Sequence, residues 1–94
     1  MHQQAAVVTG GATRLGRHFA EALADAGFDI ALHVNRSRDE AEDVANNIRA
    51  KGRACEIFHC DFLSEHLNEE LANLIQAAKK RFPGLNLLLN SASA

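Results

Sequence analysis

The segment "TGGATRLG", Thr9 to Gly16, sets three glycines around one arginine. Gly10 and Gly11 permit a tight turn and a close approach of backbone N–H groups to a ligand. A helix beginning just beyond them would turn the positive end of its dipole to the same place, and the combination suits a pyrophosphate. The same glycines would also serve a plain strand-to-helix turn, with Gly16 letting the helix lie close against a sheet. Arg14 is the unusual member, a long cation where such loops are normally small. Further on, "HVNRS" (His33 to Ser37) closes an apolar run with Asn35, Arg36 and Ser37 and no carboxylate. Dinucleotide sites that favour NAD place an acid there, about 20 residues beyond the loop, for the ribose 2′-hydroxyl. Arg36 can instead meet a 2′-phosphate through charge-assisted hydrogen bonds, and Ser37 can add a hydroxyl. NADP(H) is therefore the cofactor expected, although Ser37 also reads as a helix cap and Arg36 as a solvated surface charge.

Other chemistries find little support. The five histidines (positions 2, 18, 33, 59 and 66) have no ligand spacing, so no metal site is expected. Cys55 and Cys60 fit neither a redox pair nor a zinc site and read as reduced thiols, which makes a cytoplasmic setting the default. A net charge of −2 gives no electrostatic case for nucleic acid or an anionic membrane. No apolar run approaches the roughly 20 residues that span a bilayer, and the opening "MHQQAAVV" lacks the basic start of a signal peptide.

The elements that must position these residues alternate regularly. Ala5 to Val8 reads as a buried strand feeding the glycine turn. Leu15, Phe19, Leu23 and Ala26 recur at helical spacing and stop at Gly27. Asp29 to Asn35 is a second strand. Ser37 and Glu40 form a capping box before Ala41, Val44, Ala45 and Ile48. Ala54 to Cys60 is a third strand; Ser64 is a candidate cap for a third helix that Pro83 ends. Leu85 to Asn90, "LNLLLN", is a fourth strand. Ninety-four residues make one domain, 1–94. The alternation predicts an α/β fold, half of a Rossmann-type doubly wound parallel sheet, in strand order 3-2-1-4 with a ligand crevice at the carboxyl ends of strands one and four.

Thr9–Gly16, "HVNRS", Asp61 and "NSASA" together resemble the N-terminal cofactor-binding half of the short-chain dehydrogenases/reductases, and within them the pteridine-reductase type. There an arginine replaces the middle glycine of the TGxxxGxG loop, as at Arg14, and the second strand ends in a similar H-x-x-R-S. The resemblance runs across essentially the whole chain. It implies a cofactor site of Gly10, Arg14, Leu15, Gly16, His33, Asn35, Arg36, Ser37, Asp61, Phe62, Asn90, Ser91 and Ala92, with Arg14 reaching the phosphates. Asp61 matches the aspartate that meets the adenine amino group, and also reads as a polar loop residue. Phe62 stands where the family often has a smaller aliphatic and would line the adenine pocket. His33 matches a position near the adenosine, and also reads as a partly buried strand histidine. Ser91 departs from the second asparagine of the family's N-N-A segment, which leaves backbone contacts there. Ser93 matches a serine beside the nicotinamide or pterin, a substrate-side position.

The family's chemistry needs a tyrosine proton donor and a lysine four residues on. This sequence has no tyrosine, and Lys51, Lys79 and Lys80 sit on or beside predicted helices. No catalytic residue is assigned, and the chain is expected to be inactive alone, ending before the catalytic half. Three readings follow: the NADP(H)-binding portion of a longer oxidoreductase, a stand-alone nucleotide-binding half-domain, or a dimerising remnant. Strand five would normally cover strand four, so in a chain ending before it "LNLLLN" is expected to form an exposed apolar sheet edge that joins a homodimer or larger assembly.

Overall fold

The computed structural model describes residues 3–35, 38–60 and 65–90. Its elements run β1 (Ala5–Thr9), α1 (Arg14–Asp25), β2 (Asp29–Val34), α2 (Arg38–Ala50), β3 (Cys55–His59), α3 (Leu67–Arg81) and β4 (Leu85–Asn90). All pairings are parallel and the order is β3-β2-β1-β4. The half-Rossmann architecture expected from the alternation is the one found.

The two central strands explain the arrangement. Val7, Val8, Ile30 and Leu32 are fully buried, as strands covered on both faces must be. Alternation splits their side chains between two cores. Ala6, Val8, Ile30, Leu32 and Val34 meet Ala20 and Ala24 of α1 and Val44 and Ile48 of α2. Ala5, Val7 and Ala31 meet Leu74 and Ala78 of α3 and Phe82. The alanines let the helices lie close to the sheet. Helices α1 and α2 end in return bonds, from Phe28 N–H to the Leu23 carbonyl and from Arg53 N–H to the Ile48 carbonyl. Helix α3 ends at Arg81 because Phe82, held extended ahead of Pro83, cannot continue it.

Three local expectations shift. β2 stops at Val34, leaving Asn35 beyond the strand, and β3 spans Cys55–His59 rather than Ala54–Cys60. Helix α3 starts at Leu67 behind His66, whose side chain makes no capping bond; Ser64, the candidate cap, lies outside the described residues. Cys55 and Cys60 are free thiols, and burial pushes the Cys55 thiol up to about 12, against the lowering effect of Arg49. No helix of the described residues is long and apolar enough to cross a membrane.

Candidate functional site

The site grows from the carboxyl end of β1. Gly10 adopts φ 62°, a conformation that lets the chain leave the strand and turn at once. Gly11 then passes so close to β2 that a Cβ there would sit 2.2 Å from Leu32 Cδ1 and 3.3 Å from the Val8 carbonyl oxygen. Thr13 closes the turn. Its N–H and its hydroxyl both donate to the Gly10 carbonyl, at 3.1 and 2.7 Å, and its Oγ1 accepts the Gly16 N–H at 3.1 Å. Thr13 is thus the cap of α1. Reading the sequence by its glycines leaves Thr13 as a plain loop residue. The signal that could have found it is a threonine directly before the first helical position.

The loop is tied to β2 and β3 by one residue. Gly11 N–H donates to the His33 carbonyl at 2.8 Å, and Gly10 N–H donates to His33 Nδ1 at 3.1 Å. With Nδ1 accepting, the ring proton sits on Nε2, which donates to the Cys60 carbonyl at 2.7 Å. His33 is fully buried. Burial, opposed by the Cys60 bond and aided by nearby His59, holds its imidazole below the ordinary histidine range. On the other side, Thr9 Oγ1 donates to Asn90 Oδ1 at 2.7 Å, tying the ends of β1 and β4 together. The sequence carries no signal for that tie, since 81 positions separate the partners.

These bonds decide which amides remain for a ligand. Gly10, Gly11, Thr13 and Gly16 N–H groups are all engaged. Among the described residues the Ala12 N–H in the turn has no partner, and the N–H groups of Arg14 and Leu15 open α1 without a carbonyl in the preceding turn to receive them. The Arg14 guanidinium makes no hydrogen bond or ion pair among the described residues, and Leu15 is 58% exposed. Helix α2 carries Asp39 and Glu40 in its first turn and α3 carries Glu69 and Glu70, whereas the first turn of α1 has no acid. Its positive end is left to Arg14, an arrangement that favours an incoming anion.

Of the residues singled out in the sequence, the structure brings Gly10, Arg14, Leu15 and Gly16 together in the loop, with His33 beneath it. Asn35 follows β2, half-buried, and Asn90 ends β4 beside Thr9. Arg36, Ser37, Asp61, Phe62, Ser91, Ala92 and Ser93 lie outside the described residues. Two hollows flank the end of β3. One, of about 240 Å³, is lined by Val34, Glu42, Ile57 and His59. The other, of about 270 Å³, is lined by Phe58, Cys60, Glu70 and Leu74 among others. Among the described residues no group of three His, Cys, Asp or Glu side chains could hold a metal ion.

A parallel sheet with a glycine turn and an uncompensated helix start at its carboxyl edge defines a nucleotide-binding half-fold. The short chain dehydrogenase family model matches residues 4–94, and the chain belongs to that family. It is 36% identical over 88 residues to the 2-dehydro-3-deoxy-D-gluconate 5-dehydrogenase of Pseudoalteromonas atlantica, covering 93% of this chain and 33% of that protein. Acetoin dehydrogenase from Enterobacter cloacae superposes with a TM-score of 0.88 at 30% identity, over 98% of this chain and 35% of that one. The FolM alternative dihydrofolate reductase 1 from Brucella suis, solved in complex with NADP, gives 0.81 at 37% identity, over 96% of this chain and 34% of that one. The chain spans about a third of the length of the curated relatives it matches.

Proposed function

We propose that this chain is the NADP(H)-binding portion of a short-chain dehydrogenase/reductase. The observation that carries this is the start of α1, where Arg14 stands in a first turn without an acid and two amides have no carbonyl to receive them. In this reading the pyrophosphate lies over the Arg14 and Leu15 N–H groups, and Gly10 and Gly16 shape the turn. Arg14 supplies the countercharge. Asn35, Arg36 and Ser37 serve the adenosine side, with Arg36 and Ser37 on the 2′-phosphate, while His33 is buried beneath the loop with both ring nitrogens bonded inside the protein. Asp61 and Phe62 border the adenine, and Asn90, Ser91 and Ala92 run beside the nicotinamide half. Bound NADPH would supply the hydride; the protein's part is to hold and orient it.

In the complete reductase the hydride goes to a carbonyl or to a pteridine-like C=N, with Ser93 on the substrate side. Likeness to the alternative dihydrofolate reductase of Brucella suis supports the C=N class. The general acid is a tyrosine in this family by resemblance, and these 94 residues contain none. A reduced, cytoplasmic setting accords with the two free cysteines.

A second reading, a dimerising or nucleotide-binding half-domain without catalysis, is favoured by the outer side of β4. Leu87 and Leu88 are 38% and 43% exposed on a strand with one neighbour, and such an edge suits pairing with a second copy. Calorimetric titration with NADPH and, separately, NADH tests the main reading. NADPH should bind in clear preference, and Arg14→Ala should weaken it by about tenfold or more, the loss of a hydrogen bond between charged groups. Equal binding of the two cofactors would sink the 2′-phosphate assignment, and no binding of either would sink the cofactor role.

A further inference from the structure

We propose that His33 is the positioning residue of the glycine loop: its neutral imidazole, held between the Gly10 N–H and the Cys60 carbonyl, seats the loop so that the Arg14 and Leu15 amides face the phosphate. The identity of the ligand rests on the NADP(H) reading. The tie itself stands on three bonds, of 3.1, 2.7 and 2.8 Å, from the ring and carbonyl of one residue to Gly10, Cys60 and Gly11.

The chemistry selects a neutral histidine. A neutral imidazole offers one acceptor and one donor. Among the described residues the ring meets a donor, the Gly10 N–H, and an acceptor, the Cys60 carbonyl, and a single tautomer satisfies both. An imidazolium has two donors and would set N–H against N–H at Gly10. An apolar side chain would leave that buried N–H unpaired. Backbone pairing already links the strand to the loop through Gly11, so the ring adds what pairing cannot, a strut from the loop across β2 to the end of β3. Gly10 is the loop's pivot, and its carbonyl receives both Thr13 bonds that start α1. Displacement at Gly10 is therefore transmitted to the helix start.

Alternation puts His33 on the same face of the sheet as Ala31, beneath α3, with α1 and α2 on the other face. Among the described residues, His59 at the end of β3 is the charged group that acts on the ring, and Cys60 meets it through its carbonyl; the neighbouring elements also carry Glu56 on β3 and Glu69, Glu70, Lys79, Lys80 and Arg81 on α3. Because burial lowers the folded-state pKa, the neutral ring's contribution is complete above the ordinary histidine value of about 6.5 and is lost as pH falls through that value towards the lower folded one.

The deciding experiment titrates NADPH against the wild-type chain, H33N and H33F between about pH 8 and pH 5.5, with amide hydrogen exchange at Gly10 followed by NMR. The side-chain amide of H33N would place Oδ1 where Nδ1 stands and does not titrate. H33F should weaken NADPH by about tenfold or more, one buried hydrogen bond's worth of affinity, and should speed exchange at Gly10. H33N should keep most of the neutral-pH affinity and lack the part of the acid-side fall that His33 adds to the titration of the 2′-phosphate. Matching pH profiles for wild type and H33N, with Gly10 exchange unmoved in either variant, would overturn the proposal. If H33F does not fold, the wild-type and H33N comparison decides by itself. Failure of the wild type to bind NADPH at any pH would instead overturn the cofactor reading, while Gly10 exchange would still report whether His33 holds the loop.

Discussion

The carboxyl end of β1 and the outer side of β4 belong to one sheet and are finished in opposite ways. Around β1 the side chains are buried, and Gly10, Gly11, Thr13 and His33 pair nearly every amide of the turn inside the protein. The groups left over, at Ala12, Arg14 and Leu15, are gathered where the turn meets the helix start. Along β4 the surplus is apolar and spread out, with Leu87 on the α1 side of the strand and Leu88 on the α3 side. One region is complete except at a single point suited to an anion. The other is, among the described residues, an edge strand of the sheet. A site is recognised by the first kind of economy, an interface by the second.

The largest expected effect tests that contrast directly. Ile30→Ala, at a fully buried position of β2, should cost about 2–5 kcal/mol in chemical denaturation, the range for cavities in a core. Leu88→Ala, at a position 43% exposed, should cost less than about 1.5 kcal/mol, because part of its surface is already in water. Comparable losses would mean that β4 is covered in solution. Next in size is Gly11→Ala. The new methyl would overlap Leu32 Cδ1 and Cγ, at 2.2 and 2.8 Å, and a shift of Leu32 or of the loop should cost about 1–3 kcal/mol. NADPH affinity should fall with it; a variant as stable and as tight as wild type would show that the loop is looser than its contacts imply.

Legibility in the sequence follows the same division. The fold can be read because every element announces itself locally: Val7, Ile30 and Leu32 sit in short apolar runs, and Gly27 and Pro83 punctuate them. The glycine loop is legible for the same reason. The ties that shape it are not, since His33 meets Gly10 across 23 positions and Thr9 meets Asn90 across 81. Periodicity carries no information about such pairs; only the register of β1 between β2 and β4 creates them. His33 shows the limit well. Its type and place suggest a ligand contact, while the structure uses both ring nitrogens inside the protein. The start of α3 is hard to read because serine is a good cap wherever it stands, and the helix begins beyond it, at Leu67.

The smallest effect on stability should be the most informative about β4. Leu87 is 38% exposed on the α1 side of the edge, the side that also carries the exposed Leu15 and Phe19. A lysine there can lay its alkyl stem along the sheet and keep its charge in water, so Leu87→Lys should leave the unfolding free energy of the isolated chain within about 0.5 kcal/mol. A charged edge strand resists pairing with another edge. Sedimentation of the wild type should then show a concentration-dependent dimer, and Leu87→Lys should shift it towards monomer. A wild type that stays monomeric at high concentration would remove the self-pairing reading. A dimer indifferent to the lysine would place the contact elsewhere, and the exposed leucines would then have no bearing on assembly of this chain.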